Sequence, residues 1–182
     1  MPQGMVLMLT GVSAAGKSTI QKILKERMGW KAIISYTTRP PRPGEVDGVD
    51  YHFVTEREFE LLHPTMCEAA EVHGFKYGRP SDDIEECLNG GTIGVMAIDY
   101  KGAGAMKERY GRGVRAVFLH IQKHEQHLRL IERGTDSPEV IKRRMAVYDE
   151  EAQGCSELAN LMIMNTDLEW SVKRIISYTE GR

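Results

Sequence analysis

Gly11-Val-Ser-Ala-Ala-Gly-Lys-Ser-Thr19 fits the pattern G-x-x-x-x-G-K-[ST], and no other stretch constrains this chain as strongly. It follows the apolar run 5–9 and precedes the helical spacing of Ile20, Ile23 and Leu24. A strand, a glycine-hinged turn and a helix must therefore follow one another directly. Gly11 and Gly16 let the backbone curl, so that N–H groups from Ser13, Ala14, Ala15, Gly16, Lys17, Ser18 and Thr19 point at one anion. The helix that follows adds its positive N-terminal end. Lys17 can reach the outer phosphates as a point charge, and the Ser18 hydroxyl suits Mg2+. The motif implies a bound nucleoside triphosphate.

The rest of the chain alternates strand and helix. Strand-like apolar runs fall at 5–9, 31–35, 51–54, 92–98, 114–119 and 161–164. Helical periodicity falls at 18–28, 56–62, 81–89, 102–110, 123–133, 138–152 and 168–178. Ser137-Pro138-Glu139 supplies a cap, a first-turn proline and an early acid, while Gly29 and Gly111 end the helices before them. This alternation predicts an α/β fold with a parallel sheet covered by helices on both faces. Residues 36–80 break the rhythm with aromatics, Pro43-Gly44 and Asp47-Gly48, which predicts an inserted substrate-binding lobe.

Composition fits that reading. A length of 182 residues predicts one domain, and 41% hydrophobic with 27% charged residues is ordinary for a globular chain. A net charge of −2 without a basic stripe argues against a nucleic-acid partner. The longest apolar runs, about five residues, fall far short of a membrane span. The start Met-Pro-Gln-Gly lacks the basic and apolar regions of a signal peptide, so a cytoplasmic location is expected. Cys67, Cys87 and Cys155 are scattered and odd in number, which reads as reduced thiols.

The second informative stretch runs from Ser35 to Val54. Arg39 and Arg42 lie three apart in a proline-stiffened loop, with the Ser35 and Tyr51 hydroxyls before and after. Alone, such a loop reads as solvated surface. Beside a phosphate-binding loop it reads as a second anion cradle, because guanidinium groups match phosphate oxygens. An enzyme that phosphorylates a phosphate must hold two anions in line against their repulsion.

The pattern S-x-T-T-R-x-P-R-x-G-E-x-x-G-x-x-Y over 35–51 resembles the signature of guanylate kinases, which move the γ-phosphoryl of ATP onto GMP or dGMP. The likeness continues through residues 68–78, 97–102, 133–137, 142–145 and 165–167, and so spans about residues 4 to 178. The resemblance implies a P-loop NTPase-type parallel sheet flanked by helices. Its core would comprise 4–34, 81–122 and 155–182, with a nucleotide-monophosphate lobe over 35–80 and a helical lid over 123–154. It implies that Ser35, Arg39, Arg42, Tyr51 and Tyr77 hold the monophosphate's phosphate. Glu68 and Asp99 stand where the family's carboxylates meet the guanine edge. Arg133 and Arg144 resemble lid arginines that, with Lys17 and Arg42, neutralise the transferring phosphoryl group. Asn165 resembles the residue beside the ATP adenine. Mg2+ and ATP are the implied cofactor and co-substrate, with small nucleotides as partners and a monomer or homodimer as the assembly.

Three positions depart from the family pattern. Ala97 stands where the family usually has Asp, Arg79-Pro80 where Ser or Thr follows Tyr-Gly, and Lys101 where Gln precedes the Gly. Arg79 can donate to guanine O6 and N7. It equally suits another base with a carbonyl there, uracil or thymine. Two alternatives to a guanylate kinase follow: a kinase of the same fold acting on another monophosphate or a sugar phosphate, and a non-catalytic protein-binding module. Such modules typically lose the loop Lys and the lid arginines, which this chain keeps. His120, His124 and His127 have helix-face spacing for a metal, but His120 should end a strand and the next residues read as a solvated helix start.

Overall fold

The computed structural model describes residues 4–72 and 74–181. Strand β1 (Met5–Thr10) runs into the glycine loop and helix α1 (Lys17–Met28), as the motif requires. A two-residue strand β2 (Lys31–Ala32) leads to the inserted lobe, which begins with β3 (Tyr36–Thr37), β4 (His52–Phe53) and α2 (Glu56–Leu62). The lobe closes with a hairpin of β5 (Met66–Val72) and β6 (Phe75–Pro80). Helix α3 (Ser81–Gly90), β7 (Ile93–Ala97), α4 (Tyr100–Tyr110) and β8 (Val114–His120) return to the main sheet. Helices α5 (Lys123–Arg133), α6 (Pro138–Ala146) and α7 (Tyr148–Leu158) precede β9 (Leu161–Met164) and α8 (Leu168–Thr179).

The main sheet has the order β2-β7-β1-β8-β9 and every pairing in it is parallel. Alternation along β1 builds two cores. Leu7 and Leu9 face Ile20 and Leu24 of α1 and Val172 and Ile175 of α8. Val6 and Met8 face Ile84 and Cys87 of α3 and Ala103 and Met106 of α4. All three cysteines are free and buried.

The lobe carries its own sheet, β4-β3-β6-β5, in which β3 and β4 are parallel while β6 is antiparallel to both β3 and β5. Periodicity does not pick out the hairpin, because Glu68-Ala-Ala-Glu71 has poor strand propensity and weak alternation. Pairing against β3 and the buried side chains of Cys67 and Glu68 hold it instead. The expected single helix over 138–152 is also two. The chain breaks at Val147 (φ −97°, ψ 4°) because α6 packs on α5, whereas α7 packs on α4 and β8. Different partners demand different axes. Ser137 caps α6 as expected, accepting from the Val140 N–H at 3.4 Å, with Pro138 in its first turn. His120 ends β8, its ring stacked on Phe118 and 3.2 Å from the Tyr148 hydroxyl.

Candidate functional site

Parallel strands β1 and β7 end at a cavity of about 500 Å³, the usual ligand position in such sheets. Its walls come from three parts of the chain. The glycine loop and the start of α1 form one, Arg39, Arg42, Tyr51 and Tyr77 of the lobe a second, and Arg133 and Arg144 of α5 and α6 a third.

The loop has the backbone the motif demands. Gly11 and Gly16 take φ of +146° and +92°. Ala14 sits at +61°, a left-handed conformation that costs an L-residue about 1–2 kcal/mol. A Cβ on Gly16 would lie 2.7 Å from the Asn165 side-chain amide. No side chain caps α1, so the N–H groups of its first turn are left for an anion. Ser13, Ala14, Ala15, Lys17, Ser18 and Thr19 all line the cavity. The Lys17 ammonium folds onto the loop, donating to the Gly11 and Val12 carbonyls at 2.6 and 2.9 Å. Burial lowers its pKa, and the charges of Glu151, Cys155 and Asp99 oppose that shift.

The second cradle is arginine held by carboxylate. Arg39 donates to both Glu45 oxygens at 2.9 Å and lies over the Tyr51 ring. The Arg42 guanidinium is 3.8 Å from Asp136, and the Arg144 guanidinium is 3.5 Å from the same carboxylate. Arg144 also donates to the Ser13 hydroxyl at 3.2 Å, joining α6 to the glycine loop. Burial lowers the Arg42 pKa, and Arg39, Arg133 and Arg144 add their repulsion. Tyr51 and Tyr77 meet edge-on at 6.0 Å, and burial raises the Tyr51 phenol. A cluster of like charges this close calls for anions.

Arg79 of the lobe, with Ala97 and Asp99 at the end of β7, also lines the cavity. Arg79 donates to Glu68 at 2.6 Å and also to the Ala97 carbonyl, bridging the lobe to β7. One Asp99 oxygen caps α4, accepting from the Gly102 N–H at 2.9 Å. Burial raises the Glu68 pKa; Arg79 opposes the shift and Asp99 adds to it.

Three expected site residues do not line the cavity: Ser35, Glu68 and Asn165, each buried beside it. The Ser35 carbonyl accepts from the His52 N–H. Asn165 donates to the Ala15 carbonyl at 2.7 Å and so props the glycine loop from behind. Conversely, the sequence reading gave no role to Glu45, Asp136 or Glu151. Glu45 and Asp136 lie inside the quoted motif stretches. Glu151 has no motif, and only the fold brings it from α7 to the Ser13 backbone N–H and Lys17. Among the described residues, no three His, Cys, Asp or Glu side chains are grouped to hold a metal ion.

An uncapped glycine loop at the carboxyl edge of a parallel sheet, faced by an arginine cluster from an inserted lobe, defines the class: a P-loop α/β nucleotide-binding fold built for two phosphate groups. Comparisons with known proteins narrow it. The guanylate kinase family profile matches residues 3–181. A guanylate kinase of Fusobacterium nucleatum is 36% identical over 183 residues, covering 100% of this chain and 98% of that protein. One from Symbiobacterium thermophilum is 40% identical over 152 residues, covering 82% and 72%. The crystal structure of guanylate kinase from Anaplasma phagocytophilum superposes with a TM-score of 0.78 at 27% identity, covering 100% of this chain and 87% of that one. This chain belongs to the guanylate kinase family.

Proposed function

We propose that this chain transfers the γ-phosphoryl group of Mg-ATP to GMP or dGMP, giving ADP and GDP or dGDP. The observation that carries the reading is the pair of cationic cradles facing one cavity, Lys17 with the α1 N-terminus on one side and Arg39 with Arg42 on the other. Phosphoryl transfer needs little covalent help from the protein, so alignment and charge neutralisation supply the rate. Gly11 through Thr19 hold the triphosphate; Arg39, Arg42, Tyr51 and Tyr77 hold the acceptor phosphate, with Ser35 supporting that loop from behind. Arg133 and Arg144 neutralise the equatorial oxygens as charge spreads in the transition state. In this division residues 35–80 act as the monophosphate lobe and 123–154 as the lid.

The donor set fits Mg2+. The Ser18 hydroxyl lies in the first turn of α1 on the cavity wall, and a small hard cation takes one or two protein oxygens with phosphate and water for the rest. When bound, Mg2+ neutralises charge on the phosphate oxygens. Lys17 leaves the loop carbonyls for phosphate oxygens, and Ser18 orients the cation. Among the described residues no helix is long and apolar enough to cross a membrane.

The test is ADP release with Mg-ATP across all ribo- and deoxyribonucleoside monophosphates. GMP or dGMP is expected to lead the standard nucleotides. AMP should trail by roughly 10⁴-fold, the penalty when buried hydrogen-bonding groups meet the wrong partners. No turnover with any monophosphate would refute the reading.

A further inference from the structure

The lobe leaves the main sheet where β2 stops after two residues, although its partner β7 has five. The register of this pair sets Lys31 opposite Gly94 and Ala32 opposite Val95, and the Ile33 N–H donates to the Val95 carbonyl at 2.9 Å. In a parallel ladder the next rung would run from the Ala97 N–H to the Ile33 carbonyl. A side chain from α1 fills that rung instead. The Gln21 amide oxygen accepts from the Ala97 N–H at 3.2 Å. Its nitrogen donates to the Ile33 carbonyl at 3.3 Å and to the Val95 carbonyl at 3.2 Å. Two carbonyls and one N–H around the amide fix which of its ends is nitrogen. A side-chain amide offers the donor and the acceptor of a peptide group, so it satisfies both strands while holding them apart. Gln21 lies one turn after Lys17 on the same face of α1. The Ala97 carbonyl in turn accepts from Arg79, close to where the lobe returns to the core at α3. Both roots of the lobe are thus tied through Gln21 to the helix that carries Lys17.

We infer that Gln21 is a positioning residue for phosphoryl transfer, an amide wedged into the β2–β7 ladder that sets where the lobe leaves the core and so aligns the acceptor phosphate with the glycine loop. This rests on the monophosphate kinase reading above. Gln21 does not line the cavity. It acts through Lys17 on its own helix and through Arg39 and Arg42 on the lobe it anchors. In-line transfer between two bound phosphates tolerates little error, and a displacement of about 1 Å costs on the order of a hundredfold in rate. Without the amide, the Ala97 N–H and the Ile33 carbonyl are left to pair with each other. The ladder then closes by one rung, and the start of the lobe is drawn to ordinary strand spacing from β7, about 4.8 Å.

Gln21→Met keeps the length of the side chain and removes both of its hydrogen-bonding groups. In this variant kcat is expected to fall by on the order of a hundredfold, and the affinity for a bisubstrate analogue, which needs both halves aligned, by a similar factor. Calorimetric Kd values for GMP alone and for a non-hydrolysable ATP analogue alone should stay within about threefold of native, because each cradle remains intact. A glutamine that only stabilises the fold would lower the melting temperature and leave kcat and the analogue's affinity unchanged, and that outcome overturns the inference. Through-hydrogen-bond NMR couplings read the wedge in the native chain, with no substitution. There the Ala97 amide nitrogen should couple to the Gln21 side-chain carbonyl carbon, and in Gln21→Met to the Ile33 carbonyl carbon. A native coupling from Ala97 to Ile33 overturns the inference whether or not the variant folds. The two readings fail differently: a native chain without turnover refutes the kinase, whereas an active native chain with an equally active variant refutes the wedge.

Discussion

Burial holds the Lys17 ammonium below the ordinary lysine range, and two loop carbonyls are its present hydrogen-bond partners. A desolvated cation gains most from an incoming polyanion, since the carbonyl dipoles only partly replace water. Lys17→Ala is therefore expected to lower kcat by on the order of a hundredfold or more, because its charge follows the migrating phosphoryl group into the transition state. The melting temperature should stay near that of the native chain. Steady-state kinetics beside circular dichroism checks both, and near-normal turnover would remove the glycine loop from catalysis. Lys17 and Glu151, whose charge acts on it, also mark how far residues alone can be read. The motif locates the lysine by chemistry that is local in sequence. Glu151 lies 134 positions later with no motif of its own, and only the packing of α7 brings it near.

At the scale of elements, Asp136 joins parts that the sequence keeps apart. It sits between α5 and α6, within 3.8 Å of Arg42 from the lobe and 3.5 Å of Arg144. Its carboxylate is nearly sealed, with one oxygen lacking a hydrogen-bond partner, so its tie to the arginines is mainly charge. Asp136→Asn keeps the shape and removes that charge, leaving Arg42, Arg133 and Arg144 to repel one another. Amide exchange in α5 and α6 without nucleotide is expected to speed up by about tenfold, corresponding to a loss of roughly 1.4 kcal/mol. A bisubstrate analogue should restore the protection, since its phosphates replace the lost carboxylate. Exchange equal to that of the native chain would show that Asp136 does not hold these helices. The break at Val147 belongs to the same scale: continuous helical periodicity across 138–152 conceals two helices with separate partners.

Across the whole molecule, three parts of one chain meet around the cavity, and each contributes cations that the others must tolerate. Binding of both substrates should convert that repulsion into attraction, so closure is a property of the assembly and not of any one element. Hydrogen exchange with a bisubstrate analogue is expected to protect 35–80 and 123–154 while leaving β1, β7 and β8 unchanged. Equal protection with and without the analogue would count against lobe and lid closure. Much of this architecture was legible in the amino-acid order. The P-loop, the strand–helix alternation, the caps at Ser137 and Gly29 and the two arginines of the second cradle rest on local chemistry: backbone conformations that glycine permits, apolar periodicity, and charge spacing within one loop. The β5–β6 hairpin was not legible, because strands rich in Glu and Ala gain their stability from pairing across the sheet and not from propensity. Nor was the cavity wall that Arg79 and Asp99 line. Sequence put Glu68, Arg79 and Asp99 forward together as base-reading groups, but whether two opposite charges face a ligand or each other depends on cross-strand register. Opposed on β5 and β6 and shielded from water, Glu68 and Arg79 neutralise each other, and only the tertiary structure decided which of them faces the cavity.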